Sequence, residues 1–425
     1  MSYDQLVTFL DSAFRSSVWP QVAHYGIVLS PIAMAIILGV IWWEVWVRYV
    51  RIKQFLGLKY TILDLKLPKD TFKSPLAMET VLHSIHNTSD GSMYAQFWKG
   101  ETRPWYSLEV ISIEGNVKFL IWTEDRRKNN LMSALYSQYP GIEITEMPTD
   151  YAADLQYDEK TMKVHCMEFK CTKPDPYPIK TYVDYGLDKD PKEEFKIDPL
   201  THMIEWLGSL RPNEQAWFQF VVRAHKDDQR DPEHFFKKTD LWKAEAEKIK
   251  NKLLLRNKET KVAGHVVEGS TFALIPTFSK GEQEIVAALD RSVTKLAFDV
   301  VIRALYAAPR ATFDTPYGIG GLISSMKQFN TEHLNGFKPN GDKWTQQFDY
   351  PWQDYKNTRR HYLVKKFLKA YRRRSAFYPP YAAKPVVLNT EELATIYHLP
   401  GSVAATPGLA RVPSKKAEAP VNLPT

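Results

Sequence analysis

The feature that most constrains this chain is an apolar stretch near its N-terminus, YGIVLSPIAMAIILGVIWWEVWV, at residues 25–47. Between residues 26 and 43 it contains no ionisable side chain. A helix rises about 1.5 Å per residue, so a stretch of this length spans the roughly 30 Å hydrocarbon core of a bilayer. Inside lipid the backbone must satisfy its own hydrogen bonds, which requires a helix. We therefore predict one transmembrane helix over residues 25–47.

The residues that flank this stretch predict its orientation. Aromatic residues typical of a headgroup boundary stand at its C-terminal end: Trp42, Trp43, Trp46 and Tyr49. Basic residues accompany and follow them: Arg48, Arg51, Lys53 and Lys59. The positive-inside rule then places the N-terminus outside and the chain after residue 50 in the cytoplasm. Because the basic residues follow the apolar run, an uncleaved, single-pass anchor in the cytoplasmic membrane is favoured over a cleaved signal peptide.

The rest of the chain is long and apolar enough for two domains of ordinary size. Hydrophobic residues make up 44% of the sequence, which is ample for packed cores. The two cysteines, Cys166 and Cys171, are too few for a disulfide framework, in agreement with a reducing cytoplasm. We predict six segments: an extracytoplasmic N-terminal segment 1–24, the transmembrane helix 25–47, a basic juxtamembrane linker 48–59, a first domain 60–151, a second domain 152–403 and a Pro- and Lys-rich tail 404–425.

The first predicted domain has the pattern of a ferredoxin-like fold. The run YTILDLKLP alternates leucines with charged residues, as a half-buried strand does. A helix is predicted over residues 76–86, a polar loop over 90–102, and a hairpin around the turn at residues 114–116. A helix over residues 125–139 and the strand IEITE complete the region. The order β-α-β-β-α-β predicts an α+β fold of the split βαβ type.

The second predicted domain repeats parts of this plan. Strand patterns occur in KVHCMEFKC, AWFQFVVRA and FDVVIRALY, and helices are predicted over residues 200–210 and 318–329. A charged insertion before the third of these strands contains helices predicted at residues 241–257 and 282–294. The run VVLN at Val386 is predicted to supply the final strand. We therefore predict a second ferredoxin-like domain with a helical insertion.

Motifs of catalysis and metal binding do not stand out in the sequence. The glycine cluster YGIGGLISSMK lacks the G-x-x-x-x-G-K-[ST] spacing that wraps a phosphate. The group His165, Cys166 and Cys171 lacks the paired spacing of a structural zinc site, and His83 and His86 have no third ligand at a suggestive spacing. We predict no catalytic residue, metal or cofactor, and a non-enzymatic protein. An enzyme with a pocket between the two domains stays an alternative.

The strongest charge feature is the run NTRRHYLVKKFLKAYRRRS at residues 357–375. Eight basic residues there are uninterrupted by any acid: Arg359, Arg360, Lys365, Lys366, Lys369, Arg372, Arg373 and Arg374. Val364, Leu368 and Tyr371 recur between them at helical spacing. Three interpretations stay open: a solvated helix face that docks on the domain, a contact with the anionic inner leaflet, and a salt-dependent contact with nucleic-acid phosphates.

Nine strings are distinctive when taken together: KSPLAMETVL, PWYSLEVISIEGNVKFLIWT, YSQYPGIEITE, YPIKTYVDYG, KIDPL, KQFNTEHLNGFKP, YPWQD, RSAFYPPY and VVLNTEELATIYHLPG. Together they resemble an uncharacterised, membrane-anchored domain family of candidate-phyla bacteria. The last string and the Pro-rich stretch after it resemble the region N-terminal to the motor in type IV secretion and conjugation ATPases. The same string has a local interpretation, in which Asn389 or Thr390 caps a short helix over residues 391–397 with Leu393 and Ile396 packed inward.

The resemblance implies a membrane module that works beside a P-loop motor in the bacterial inner membrane. We predict a non-enzymatic, membrane-anchored component of a type IV secretion- or conjugation-like system, which docks a motor ATPase supplied by another chain. Longer relatives are expected to continue into that motor, beyond the point that corresponds to Thr425. The expected partners are the membrane and a P-loop secretion-type ATPase, with DNA and a second copy of the chain as further candidates. The main alternative is a membrane-surface nucleic-acid-binding module that uses residues 359–374.

Overall fold

The computed structural model describes residues 5, 8, 12, 19–66, 68, 73–188, 198–227, 229–230, 238–253, 280–341, 344, 348 and 350–401. The predicted N-terminal segment 1–24 lies mostly outside these residues, and the predicted tail 404–425 lies wholly outside them. The chain divides into two compact units, which we describe separately. The helix unit comprises Met1–Leu58 and Asp90–Thr102, and the sheet unit comprises Lys59–Ser89 and Arg103–Thr425.

The helix unit is built on one long helix, α1 (Trp19–Gly57). Within the described residues, its part His24–Gly57 is the one helix long and apolar enough to cross a membrane. The most apolar part of this helix is not buried inside the protein, whereas the core helix of a globular domain is. Helix α1 is therefore a membrane anchor or a signal sequence. The helix also runs through most of the predicted linker 48–59, because no glycine or proline interrupts RYVRIKQFL before Gly57.

A short helical segment completes the helix unit. Ala95–Lys99 form a π-helical turn that ends at Gly100, whose φ of 76° is left-handed. A Cβ at Gly100 would lie 2.6 Å from the Val50 carbonyl oxygen, so glycine lets the segment lie directly against α1. The prediction of a loop over residues 90–102 is therefore wrong at this turn, because the contacts that order it come from α1, which is distant in sequence.

The first half of the sheet unit has the element order β-α-β-β-α-β. Its elements are β1 (Tyr60–Lys66), α2 (Leu76–Ile85), β2 (Trp105–Ile113), β3 (Asn116–Glu124), α3 (Asp125–Gln138) and β4 (Glu143–Glu146). The strands lie in the order β2-β3-β1-β4, and all neighbours are antiparallel. The hairpin of β2 and β3 turns at Glu114 and Gly115, which both have positive φ, as a two-residue type I′ turn requires.

The second half has a similar order of elements around an insertion. Its elements are α4 (Tyr151–Asp154), β5 (Met162–Cys171), α5 (Leu200–Gly208), β6 (Gln215–Ala224), the inserted β7 (Gln229–Arg230), β8 (Lys238–Thr239), α6 (Leu241–Leu253) and α7 (Lys280–Val293), then β9 (Ala297–Pro309), α8 (Thr315–Lys327) and β10 (Phe337–Pro339). Strands β7 and β8 form a separate hairpin. The other four strands are antiparallel in the order β10-β5-β9-β6.

The C-terminal part of the sheet unit adds a helix, a strand and a further helix. They are α9 (Thr358–Arg372), β11 (Val386–Asn389) and α10 (Thr390–Ile396), and two 3₁₀ turns, Pro351–Gln353 and Tyr355–Asn357, precede α9. The sequence predicts VVLN as the final strand of the second domain, but β10 takes that place and β11 pairs with the start of β9. Both fit because β9 has 13 residues, so β11 pairs with residues 297–300 and β5 with residues 302–309.

One antiparallel sheet runs through both halves, because β2 pairs with β6 along nearly its whole length. The path is β10-β5-β9-β6-β2-β3-β1-β4, so the two halves extend outward from the central pair. The sheet thus crosses the predicted domain boundary between residues 151 and 152, and both predicted domains contribute to the sheet unit, although residues 90–102 of the first belong to the helix unit. The pairing satisfies the backbone donors and acceptors of two buried strands that would otherwise form edges. The α+β class with an antiparallel sheet is confirmed.

The main hydrophobic core lies between one face of the sheet and helices α2, α3, α5, α8 and α10. Alternate residues of each strand point to this face, for example Phe218, Phe220 and Val222 of β6. Each fully buried side chain of this size contributes about 1.5–3 kcal/mol relative to its exposed state. This core fixes the helices on one side of the sheet and leaves the other side for α9.

Helix α10 lies entirely inside this core, and its two carboxyl groups have partners within the chain. The Asn389 side chain accepts a hydrogen bond from the Glu392 N–H at 2.8 Å, and the Glu392 carboxylate accepts one from the Asn389 N–H at 2.9 Å. This capping box confirms the predicted cap at Asn389. The Glu391 carboxylate lies 2.9 Å from the Lys295 ammonium and 3.3 Å from the Arg291 guanidinium. Every residue of α10 is buried, so the helix packs within this chain.

Candidate functional site

The predicted basic helix exists as α9, and an acidic cap starts it. The Asp354 carboxylate accepts hydrogen bonds from the Arg359 N–H at 2.8 Å and from the Arg360 N–H at 3.2 Å. These bonds satisfy backbone donors that a first helical turn leaves without partners, and the negative charge suits the positive end of the helix dipole. The residues at the predicted apolar spacing are buried against the sheet: Val364, Leu368 and Tyr371.

The eight predicted basic residues differ in exposure. Four are exposed: Arg359, Lys365, Lys369 and Arg373. Three are half-buried: Arg360, Lys366 and Arg372. Arg374 is buried, with 1% of its surface exposed. Arg372 donates from Nε to the Ala152 carbonyl at 2.8 Å, and its guanidinium also contacts the Leu155 carbonyl. We therefore define the basic surface as Arg359, Lys365, Lys366, Lys369 and Arg373.

Arg374 belongs to a buried ion cluster and not to the surface. Its Nε donates to Glu109 Oε1 at 3.0 Å and its Nη2 to Glu109 Oε2 at 3.2 Å, while Nη2 also donates to Asp150 Oδ1 at 3.0 Å. The Tyr151 hydroxyl donates to the same Glu109 carboxylate at 2.8 Å. Burial lowers the pKa of Arg374, but the two carboxylates more than offset this and hold it well above its ordinary value. Arg374 therefore holds the end of α9 on the sheet.

A second buried arginine, Arg303 of β9, fixes the same helix end. Its Nε donates to Glu168 at 3.1 Å, and its other nitrogens donate to the carbonyls of Ala370 at 3.3 Å and Ser375 at 2.9 Å. Burial lowers the pKa of Arg303, and the Glu168 carboxylate counters it. Both arginines thus connect the C-terminal end of α9 to acidic residues in the middle of the sheet.

Exposed aromatic side chains accompany the basic surface at the start of α9. Trp352 is 76% exposed and Tyr355 is 72% exposed. Trp352 stacks on Tyr350 with ring centroids 4.7 Å apart. Cations lie over neighbouring rings, with Lys366 Nζ 5.8 Å from the centroid of Tyr362. The sequence analysis missed these residues as a surface, although the mixture of aromatic and basic residues in YPWQDYKNTRRHY signals it.

A pocket of about 420 Å³ adjoins the N-terminal end of α9. Its polar lining residues are Tyr157, Glu159, Lys163, His165, Arg310, Thr315, Asn357, Arg360 and His361. Its apolar lining residues are Met162, Val164, Phe313 and Ile319. One predicted basic residue, Arg360, is thus brought together with Lys163 of β5 and with Arg310, which directly follows β9 at the same end of the β5–β9 pairing. No local pattern in the sequence predicts this grouping, because the three residues are far apart in the chain.

The cations in this pocket influence one another. Burial lowers the pKa of the Lys163 ammonium, and the charges of Arg360 and Arg310 lower it further. Burial, followed by the charges of Arg360 and Lys163, lowers the pKa of His165 to about 4, so its imidazole is neutral. An anion in the pocket would relieve the repulsion among these cations.

A third charged cluster surrounds His225. Its ligand atoms and those of Asp227 and Asp240 lie within 4.8 Å of one another, a spacing that also suits a metal ion. However, His225 Nδ1 lies 2.6 Å from Asp299 and Nε2 lies 3.4 Å from Asp240. Burial lowers the pKa of His225, but hydrogen bonds to Asp240 and Asp299 raise it to about 9. In its protonated form His225 pairs with Asp240 and Asp299, so the three side chains form a buried ion network.

The histidines and cysteines considered in the sequence are not members of this network. His83 Nε2 lies 3.0 Å from the Thr390 hydroxyl, and His86 Nε2 lies 3.0 Å from the Ala297 carbonyl. Cys166 is buried in β5 and Cys171 is half-buried at its end, and neither belongs to a disulfide. These residues pack or hydrogen-bond within the sheet unit.

Comparison with known proteins gives one finding on the family. The sequence model of a protein family described as "Domain of unknown function (DUF8128)" matches residues 54–411. The matched residues cover most of the chain and include the basic surface and the pocket. No curated protein matches the chain.

Proposed function

Since the chain belongs to the DUF8128 family, we propose that it is a membrane-anchored, non-enzymatic docking module. In this proposal α1 spans the bacterial inner membrane, with the N-terminus outside and the sheet unit in the cytoplasm. The partner is a P-loop motor ATPase of a type IV secretion- or conjugation-like system, supplied by another chain. The sequence resemblance in the string VVLNTEELATIYHLPG suggests this partner.

The observation that carries the proposal is the exposed apolar helix α1. The most apolar window of His24–Gly57 has no cover inside the protein, which in water would leave a long apolar surface exposed. A bilayer provides that cover, and the aromatic and basic residues at its C-terminal end suit the cytoplasmic boundary. A chain fixed in this way keeps the sheet unit near the membrane, where a docking role requires it.

The architecture of the sheet unit also fits a docking module. Each half combines four antiparallel strands with two connecting helices, and we propose that the halves are two ferredoxin-like domains joined edge to edge through β2 and β6. Several acidic residues of this unit are committed to internal ion pairs, among them Glu109, Glu168 and Glu391. The basic surface of α9 stays available for an acidic face of the partner.

Affinity purification of the tagged full-length protein from its native membrane tests this proposal. We expect a P-loop secretion-type ATPase to co-purify, and mass spectrometry to identify it. Charge reversal of Lys365, Lys369 and Arg373 to Glu should reduce its recovery at least tenfold. The matched control reverses Lys327 and Lys338, which are exposed elsewhere on the sheet unit, and should retain it. Recovery of the intact protein without any such ATPase contradicts the proposal.

A second candidate function is the binding of single-stranded nucleic acid. The observation in its favour is the exposed pair Trp352 and Tyr355 next to the basic surface, because bases stack on aromatic rings while cations contact the phosphates. Exposed aromatic rings beside basic residues are typical of proteins that bind single strands without sequence preference.

Fluorescence anisotropy with a labelled oligonucleotide and the full-length protein in detergent tests this candidate. Affinity should fall steeply with salt, and Trp352→Ala should weaken it about tenfold, in line with roughly 1–3 kcal/mol per stacked base. Tyr136→Ala, which removes an exposed aromatic residue of α3, is the control and should have no effect. Equal affinity of the Trp352→Ala variant and the unchanged protein would exclude stacking at this surface.

A further inference from the structure

The helix unit contains exposed apolar side chains that α1 alone does not explain. We call residues 93–99 the aromatic segment. It lies between α2 and β2 in sequence but belongs to the helix unit. Met93 is 75% exposed and Trp98 is 51% exposed, and Tyr94 between them is exposed as well. In water, three large apolar side chains on one turn are an unfavourable surface.

The aromatic segment packs against α1 at Trp43 and Trp46. The Trp46 indole N–H donates to the Phe97 carbonyl at 3.2 Å. The Trp43 and Phe97 rings lie 5.4 Å apart, and the Trp46 and Trp98 rings lie 5.5 Å apart. Together with the close approach of Gly100 to the backbone of α1, these contacts continue the tryptophan belt of α1 onto the aromatic segment.

These two tryptophans lie near the C-terminal end of the apolar stretch. The 18 residues that separate Tyr25 from Trp43 correspond to about 27 Å of helix, close to the thickness of a hydrocarbon core. Trp43 and Trp46 therefore stand at the boundary where tryptophan and tyrosine are enriched in membrane proteins. The exposed residues of the aromatic segment are of the same kind and stand beside them.

We propose that residues 93–99 insert into the headgroup region of the bilayer as a second membrane contact, on the side where α1 emerges. The inference rests on the proposed membrane span of α1. The occupant of this surface is lipid, because the surface is continuous with the tryptophan belt and consists of Met, Tyr and Trp. Lys99, whose ammonium lies 5.9 Å from the ring centroid of Tyr94, supplies a cation for lipid phosphates.

Spin-label depth measurements on the full-length protein test the inference. The native thiols are first replaced by Cys166→Ser and Cys171→Ser, and a nitroxide is then attached through Met93→Cys, Ile36→Cys or Tyr136→Cys. The protein is reconstituted in vesicles of phosphatidylcholine and phosphatidylglycerol, and the accessibility of each label to oxygen and to a water-soluble nickel complex is compared. We expect a deep position at Ile36, an interfacial position at Met93 and an aqueous position at Tyr136.

The outcomes separate this inference from the proposed function. A deep label at Ile36 with an aqueous label at Met93 overturns the second contact and leaves the span intact. An aqueous label at Ile36 contradicts the span, and the second contact fails with it.

A glycine variant tests whether α1 sets the depth of the segment. Gly100→Ala introduces a side chain at a left-handed φ and against the Val50 carbonyl, so the Met93 label should move toward water while the Ile36 label stays deep. Gly320→Ala in α8, where a Cβ meets nothing within 4 Å, is the matched control and should move neither label. An unchanged Met93 depth in the Gly100→Ala variant contradicts the packing that we describe.

Discussion

Helices α9 and α10 of the sheet unit are both rich in charge, but they use it in opposite ways. In α10 the adjacent Glu391 and Glu392 are buried, and each has a specific partner within the chain. Of the eight cations in α9 and the two residues after it, four are exposed, and of the eight Arg374 alone is buried. The number of charged residues in a helix therefore does not determine its role. The groups that those residues contact determine it.

The largest expected effect is at Arg374, where the basic run changes from exposed residues to a buried ion pair. Arg374→Ala leaves the Glu109 carboxylate buried without its guanidinium, so the free energy of unfolding should fall by about 3–5 kcal/mol. Urea unfolding of the full-length protein in detergent, followed by circular dichroism, measures this change. Lys369→Ala, five positions earlier and exposed, is the control and should change stability by less than about 0.5 kcal/mol. Similar effects of the two variants would show that the two uses of charge do not differ.

A smaller effect, which depends on pH, is expected at the buried ion network of His225. Its pKa is raised from 6.5 to about 9, so the network stabilises the fold fully below pH 6.5 and loses this contribution as pH rises toward 9. The loss corresponds to roughly 2–3 kcal/mol. Unfolding midpoints measured across this range should fall, and His225→Gln should flatten the dependence. If the unfolding midpoint of the His225→Gln variant still fell with rising pH, another titratable group would be responsible for the dependence.

The cap of α10 gives the third effect. Asn389→Ala removes the side chain that accepts the Glu392 N–H, and the cost of a lost N-cap is about 0.5–2 kcal/mol. Thermal unfolding measures it, and Asn389→Asp, which keeps an acceptor, is the comparison variant. If Asn389→Ala were as stable as the unchanged protein, the capping box would contribute nothing to the buried helix.

The smallest effect is expected on the basic surface. Combined replacement of Lys365, Lys369 and Arg373 by Ala should change the free energy of unfolding by no more than about 0.5 kcal/mol, because these residues are exposed. The same urea titration measures it. A loss of several kcal/mol would mean that the basic surface is structural, and the contrast with α10 would disappear.

The sequence was sufficient for features with local signals. The apolar run predicts α1, the alternating leucines of YTILDLKLP predict β1, and the turn at Glu114 and Gly115 predicts the hairpin, because neighbouring residues determine each of them. The cap at Asn389 is predictable for the same reason. The placement of these elements in two ferredoxin-like domains stays a prediction.

Features that depend on distant partners were not predictable. In the sequence Arg374 does not differ from Arg373, and its contacts with the distant Glu109, 265 positions away, and Asp150 make it structural. The charged and polar residues within apolar strands, such as Glu109 and Arg303, are the one available signal that buried ion pairs exist. The pocket and the β2–β6 pairing likewise bring together residues that no local pattern connects.

The ends of the sheet restrict how other proteins can associate with it. The outermost strands of its path are β4 with four residues and β10 with three, whereas the long strands β2 and β6 are covered by each other. At the β4 end the short outer strand offers few free backbone groups to a neighbouring chain, so copies of the sheet unit gain little from joining sheets there. A binding partner at this end of the sheet is therefore expected to recognise side chains and not to add a strand.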